Sequence, residues 1–176
     1  MDRSSINWHE FFTYDPATGC LTWKFRDRRQ FQTLRSFGIW NTRYSGTIAG
    51  HPSKAAKAVK ITLLGKSAKA HQVIWSMIHG QVPHGYVIDH INGNPFDNRL
   101  CNLRLATHAE NMWNVKRSAA NKTGFKGVTY HAGRFVAKLR VNKELKYLGR
   151  YKTAEEAYSV YVENAKKYHG EFARVA

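Results

Sequence analysis

Carboxylates are scarce in this chain. Its 176 residues include 12 Asp and Glu against 28 Lys and Arg, a formal net charge of +16, far beyond what solubility requires. Such an excess calls for a polyanionic partner, nucleic acid ahead of an acidic membrane, although a basic surface of the ribosomal-protein kind would have the same composition. Cysteine is equally sparse. Cys20 and Cys101 stand alone, which excludes a disulfide framework and a CxxC zinc knuckle and implies a reduced, cytoplasmic setting. No apolar run approaches a membrane span, and the start, MDRSSINWHEFF, has no signal-peptide core. The expectation is therefore no membrane partner.

What is present is distributed unevenly. Residues 1–70 hold 12 basic and 4 acidic side chains (+8), residues 71–115 hold 2 and 3 (−1), and residues 116–176 hold 14 and 5 (+9). Two basic flanks that can grip phosphates enclose a near-neutral centre that can host a cation. The 43% of hydrophobic residues and 13% of aromatics suit a folded chain of one domain or two small modules.

Turn chemistry and periodicity divide the chain further. TYDPATGCLTWKF predicts a hairpin, residues 26–56 a partly flexible loop, and AVKITLLGKSAKAH a second hairpin. Lys57, Lys60, Lys66 and Lys69 could face phosphate there, or simply protect a strand edge. AHQVIWSMIHG reads as an amphipathic helix ended by Gly80, with His71, Ile74, Trp75 and Ile78 on one face. The next segment runs GYVIDH (strand), INGNPFDNR (loop), NLRLAT (strand), then THAENMWNVKR, a helix opened by a Thr107–Glu110 capping box. KRSAANKTG is the linker candidate. Three alternating runs and a capped helix over TAEEAYSVYVENAKKYHG then predict a sheet packed on a helix.

Asp89 and His90 adjoin on an extended segment, so their side chains leave opposite faces. One can hold a hard cation while the other meets the attacking water, with an Asn amide oxygen completing the cation's shell. A polar turn satisfied by its own Asp and Asn residues is the plainer alternative.

The ordered strings HQVIW, DHINGN, DNR, NLR and AEN resemble the HNH endonucleases of phages and mobile introns over about residues 70–117. That resemblance implies a ββα-metal core, His90 as general base and Asn102 as the loop-bracing residue that orients it. It also implies Asp89 and Asn111 as ligands of Mg²⁺ or Mn²⁺. Residues 122–173 (GFKGVTY, GRFVAKLRV, KYLGRYKTAEEAYSVYVENAKKYHGEFA) resemble the plant ethylene-response-factor DNA-binding domain. By that likeness Lys126, Arg134, Lys138, Arg140, Lys146, Tyr147 and Arg150 contact double-stranded DNA, with Lys126 and Tyr147 departing from the Arg and Trp usual there. The resulting expectation is an α+β protein: a β-hairpin-rich region over 1–69, a nuclease core over 70–117, and a three-stranded antiparallel sheet on one helix over 118–176. It would act as a monomer or weak homodimer in a phage-infected bacterial cytoplasm. A DNA-binding regulator with a structural HNH remnant is the alternative.

Overall fold

Asp15 organises the first turn much as its sequence suggests. In the computed structural model, which describes residues 6–175, its carboxylate accepts from the Ala17 amide at 2.9 Å and the Thr18 hydroxyl at 2.6 Å. Gly19 follows at φ +74°, a conformation that favours glycine. Strands β1 (Phe12–Asp15) and β2 (Cys20–Trp23) pair antiparallel around this turn.

Residues 26–56 are not a loop throughout. Helix α1 (Leu34–Tyr44) begins at a reciprocal Thr33–Ser36 capping box, which satisfies end amides that would otherwise need water. Its sequence, LRSFGIWNTRY, is poor in strong helix formers, so tertiary contacts carry the helix. Phe31 and Trp40 place their rings 4.7 and 4.8 Å from the buried Arg26 guanidinium, while Asn41 exchanges bonds of 2.9 and 3.0 Å with the Arg26 backbone.

Next come β3 (His51–Ser53), β4 (Ala58–Leu63) and β5 (Lys66–Lys69), a sheet with β4 central, and helix α2 (Ala70–His79). Ile61 and Leu63 point into the core as alternation predicts. On α2 the expected face is corrected at one position: His71, Ile74 and Trp75 are buried but Ile78 is 47% exposed, and Val73 joins the core instead. Ile78 lies in the last turn, beyond the buried stretch. Strands β6 (Tyr86–His90) and β7 (Leu103–Thr107) form a two-stranded sheet, and helix α3 (His108–Trp113) opens with the anticipated Thr107–Glu110 box.

The chain separates into two compact units between Leu105 and Ala106. The expected boundary at 69/70 falls inside one apolar core, shared by Phe12, Leu21 and Ile61 with Val73, Ile74 and Leu103. The expected linker is bonded into the second unit: the Asn121 amide donates to the Phe125 and Val128 carbonyls at 2.8 and 3.1 Å.

That second unit holds β8 (Val128–His131), β9 (Arg134–Val141), β10 (Glu144–Tyr151) and helix α4 (Ala154–His169). The sheet order is β10-β9-β8, all antiparallel, as the alternating runs predict. Ala137, Leu139 and Val141 pack on Ala157, Tyr161 and Ala165 of α4. The architecture is mixed helix and sheet, and among the described residues no helix is long and apolar enough to cross a membrane.

Candidate active site

The last two residues of β6 are both buried, Asp89 at 5% and His90 at 8% exposure. A buried carboxylate needs a counter-charge, and Arg104 on β7 supplies one, its Nε 3.0 Å from Asp89 Oδ2. His90 Nε2 lies 3.1 Å from Asn98 Oδ1. A carboxamide oxygen can only accept, so His90 Nε2 is the donor in this bond. His71 packs edge-on against His90 with ring centroids 4.9 Å apart. Burial first, then the His90 and Lys69 charges, push the His71 pKa down to about 3, and its buried Nδ1 has no hydrogen-bond partner. This second imidazole stays neutral beside the first.

The loop between β6 and β7 is braced from within. Asn102 accepts from the Asn92 amide at 2.9 Å and donates to the Asp97 carbonyl at 2.8 Å. Asp97 is gripped by Arg99 in a two-point contact of 2.8 and 2.7 Å, and that bonding holds its carboxyl well below the usual range. Asn102 thus bonds across the loop, and Asn98 is the side chain whose bond to the His90 ring is seen. The DNR string contains Asn98, yet one Asn among five between 92 and 111 carries no label in sequence that separates a ring partner from a turn former.

The first hairpin supports the same loop. Tyr14 Oη accepts from the Leu100 amide at 2.9 Å and donates to the Asn98 carbonyl at 3.3 Å. A Cβ on Gly19 would lie 2.4 Å from Arg99 N and 2.6 Å from the Asn98 carbonyl carbon. This supporting role of the N-terminal region leaves no sequence signal, because it depends on an 84-residue separation.

Among the described residues no group of three or more His, Cys, Asp or Glu side chains forms a cluster suited to a metal. The buried Asp89 carboxylate is the donor type that a hard divalent cation takes. Asn111 lies on α3, in the second compact unit.

The seven DNA-contact candidates divide by position. Arg134, Lys138 and Arg140 are exposed on one face of β9, Tyr147 pairs across from Lys138, and Arg150 pairs with Val136 of that same face after a bulge. The other two lie elsewhere. Lys146 pairs with Leu139 on the helix side, its ammonium 4.4 Å from the Tyr168 ring centre. Lys126 donates to the Trp113 carbonyl at 2.6 Å, and burial lowers its pKa to about 8. The pleat accounts for Lys146, since a neighbour of Tyr147 must face the other way.

Residues 68–113 match the family model for HNH endonucleases. The chain is 36% identical over 110 residues to Protein 3.8 of Escherichia phage T7, an alignment covering 62% of this chain and 91% of that protein. It is 35% identical over 114 residues to an uncharacterized HNH endonuclease, L560, of Acanthamoeba polyphaga mimivirus, covering 62% of this chain and 57% of that one. No solved structure matches significantly.

Proposed function

We propose, on the premise that the chain belongs to one family with Protein 3.8 of Escherichia phage T7 and carries an HNH endonuclease domain over residues 68–113, that it is a metal-dependent DNA endonuclease. The observation that carries this reading is the buried Asp89–His90 pair with His90 Nε2 tied to Asn98. In this reading His90 Nδ1 takes a proton from the water that attacks the scissile phosphorus. Asp89 holds the cation, with Asn111 as the ligand implied by the HNH resemblance; when bound, such an ion stabilises charge developing on the phosphate and leaving oxygen. Asn98 and Asn102 keep the ring and loop in place. The exposed β9–β10 face, bearing Arg134, Lys138, Arg140, Tyr147 and Arg150, meets double-stranded DNA in the manner of the ethylene-response-factor likeness. One such centre per chain nicks a single strand, and a double-strand break requires a second copy or a second encounter.

The competing reading, a DNA-binding regulator with a structural HNH remnant, is favoured by one observation: Arg104 already occupies an Asp89 oxygen. Plasmid cleavage with Mg²⁺ or Mn²⁺ separates the two. His90→Ala should lower the rate by about 10²–10⁴ while duplex affinity stays near wild type. Asp89→Ala or Asn111→Ala should abolish cutting or raise the metal concentration required. Wild-type rates in all three variants, or full activity in EDTA, would sink the assignment.

A further inference from the structure

Away from Asp89 and His90, the first unit has an open cavity of about 590 Å³, within the roughly 300–1,000 Å³ range of small-ligand sites. It lies between α1, β2 and the β3–β4–β5 sheet, and is lined by Trp23, Trp40, Tyr44, Arg43, His51 and Lys60 among others. The aromatic rings form a connected series. Trp23 meets Trp40 edge-on at 5.3 Å, and Trp40 meets Tyr44 at 5.3 Å. Arg43 is exposed, its guanidinium 5.3 Å from the Tyr44 ring centre. Among the described residues, no carboxylate lines the cavity. At its wall stand two exposed aliphatic side chains, Ile48 at 67% and Leu64 at 59% exposure. Leu64 adopts φ +51°, an unusual conformation for leucine.

Aromatic faces beside cations, with no acid, recognise a flat π-system that carries negative charge. Single-strand nucleic-acid sites are built in this way: bases stack on aromatic rings and the backbone follows basic side chains. We propose that this cavity binds an unstacked DNA nucleotide, its base against the Trp40–Tyr44 rings and its phosphates against Arg43 and Lys60. The choice of DNA rests on the endonuclease reading; the nucleotide chemistry rests on the cavity.

The full chain is tested in EDTA, so that binding is read without cutting. An oligothymidine of about ten nucleotides, within the site size of such grooves, is titrated by anisotropy and by intrinsic tryptophan fluorescence. Tryptophan emission should be quenched on binding. Tyr44→Ala should weaken oligothymidine binding about 5- to 150-fold, the loss expected from one stacked base. The double variant Arg43→Ala/Lys60→Ala should weaken it and flatten its salt dependence. Arg29→Ala, exposed but outside the cavity, is the control and should leave both unchanged. Arg43→Ala/Lys60→Ala alters only the cationic lining, so it remains informative if Tyr44→Ala fails to fold. Unchanged affinity in the folded variants, or equal losses for blunt duplex and single strand, would overturn the proposal. Tighter binding of oligouridine would overturn the DNA assignment. Plasmid cleavage is followed separately: absent cleavage with intact, cavity-dependent oligothymidine binding defeats the endonuclease reading alone.

Discussion

The hydrogen bond between His90 Nε2 and Asn98 holds the ring that the endonuclease reading uses as a base. Asn98 Oδ1 accepts from Nε2, so Asn98→Ala removes that acceptor and weakens control of the ring's tautomer. The expected outcome is a fall in kcat of at least about tenfold, bounded by the roughly 10⁴ lost when tautomer control fails in a catalytic triad. KM for DNA should stay near wild type; a KM change with unaltered kcat would make Asn98 a binding residue only. His71 gives a second prediction, on stability. Its folded pKa of about 3 lies below the unfolded value, so unfolding takes up a proton as pH falls below about 6.5. The stability it contributes is complete above that pH and is lost progressively towards pH 3. Between about pH 7 and pH 5 the wild type should lose about 2 kcal/mol through this residue. His71→Gln should show a correspondingly flatter dependence in urea unfolding. Parallel curves for the two proteins would show that His71 titrates normally.

At the scale of elements, the first hairpin determines the shape of the active-site loop. Gly19→Ala would force a Cβ to 2.4 Å from Arg99 N, at φ +74°. The variant should lose at least about 1–2 kcal/mol and cleave more slowly, although no proposed catalytic atom is removed. Normal stability and rate would mean that the loop adjusts freely. These long-range supports are also what sequence leaves unwritten. The β6–loop–β7 order, the capping boxes at Thr107 and Thr153, and the β8–β10 sheet are legible because each rests on local periodicity or caps. Helix α1 is not, since its residues favour other conformations and Arg26 with its aromatic cage compensates. Asp89 and His90 stand out by spacing, whereas Asn98, Arg104 and His71 join them only through the folded chain. Lys126 and Lys146 have the charge of DNA-reading residues, but Lys126 bonds the Trp113 carbonyl and Lys146 lies on the helix side over Tyr168.

For the whole molecule, the division at Leu105–Ala106 changes where the chain can be cut. Trp113 stacks on His169 at 4.1 Å and 8°, and its carbonyl accepts from Lys126, so α3 packs within the second unit. A fragment of residues 106–176 should unfold cooperatively and bind duplex DNA without cutting it. One beginning at residue 119 lacks Trp113 and should be less stable by about 1–3 kcal/mol. Thermal melts of the two fragments check this, and equal melting temperatures would mean that α3 contributes nothing to the unit. A chain ending at Ser118 keeps α3 but loses His169 and Lys126, so it does not leave α3 in its native packing.

The bond from the Leu100 amide to the Tyr14 hydroxyl joins residues 86 positions apart, and this has a consequence for the chain as it is made. Contacts of high sequence separation form late, because the intervening loop must close first. During synthesis at roughly 5–20 residues per second, Tyr14 emerges several seconds before its partner exists. The nascent hairpin therefore waits with its docking surface uncovered, and the loop that holds His90 takes its working shape only after the ribosome has released Leu100.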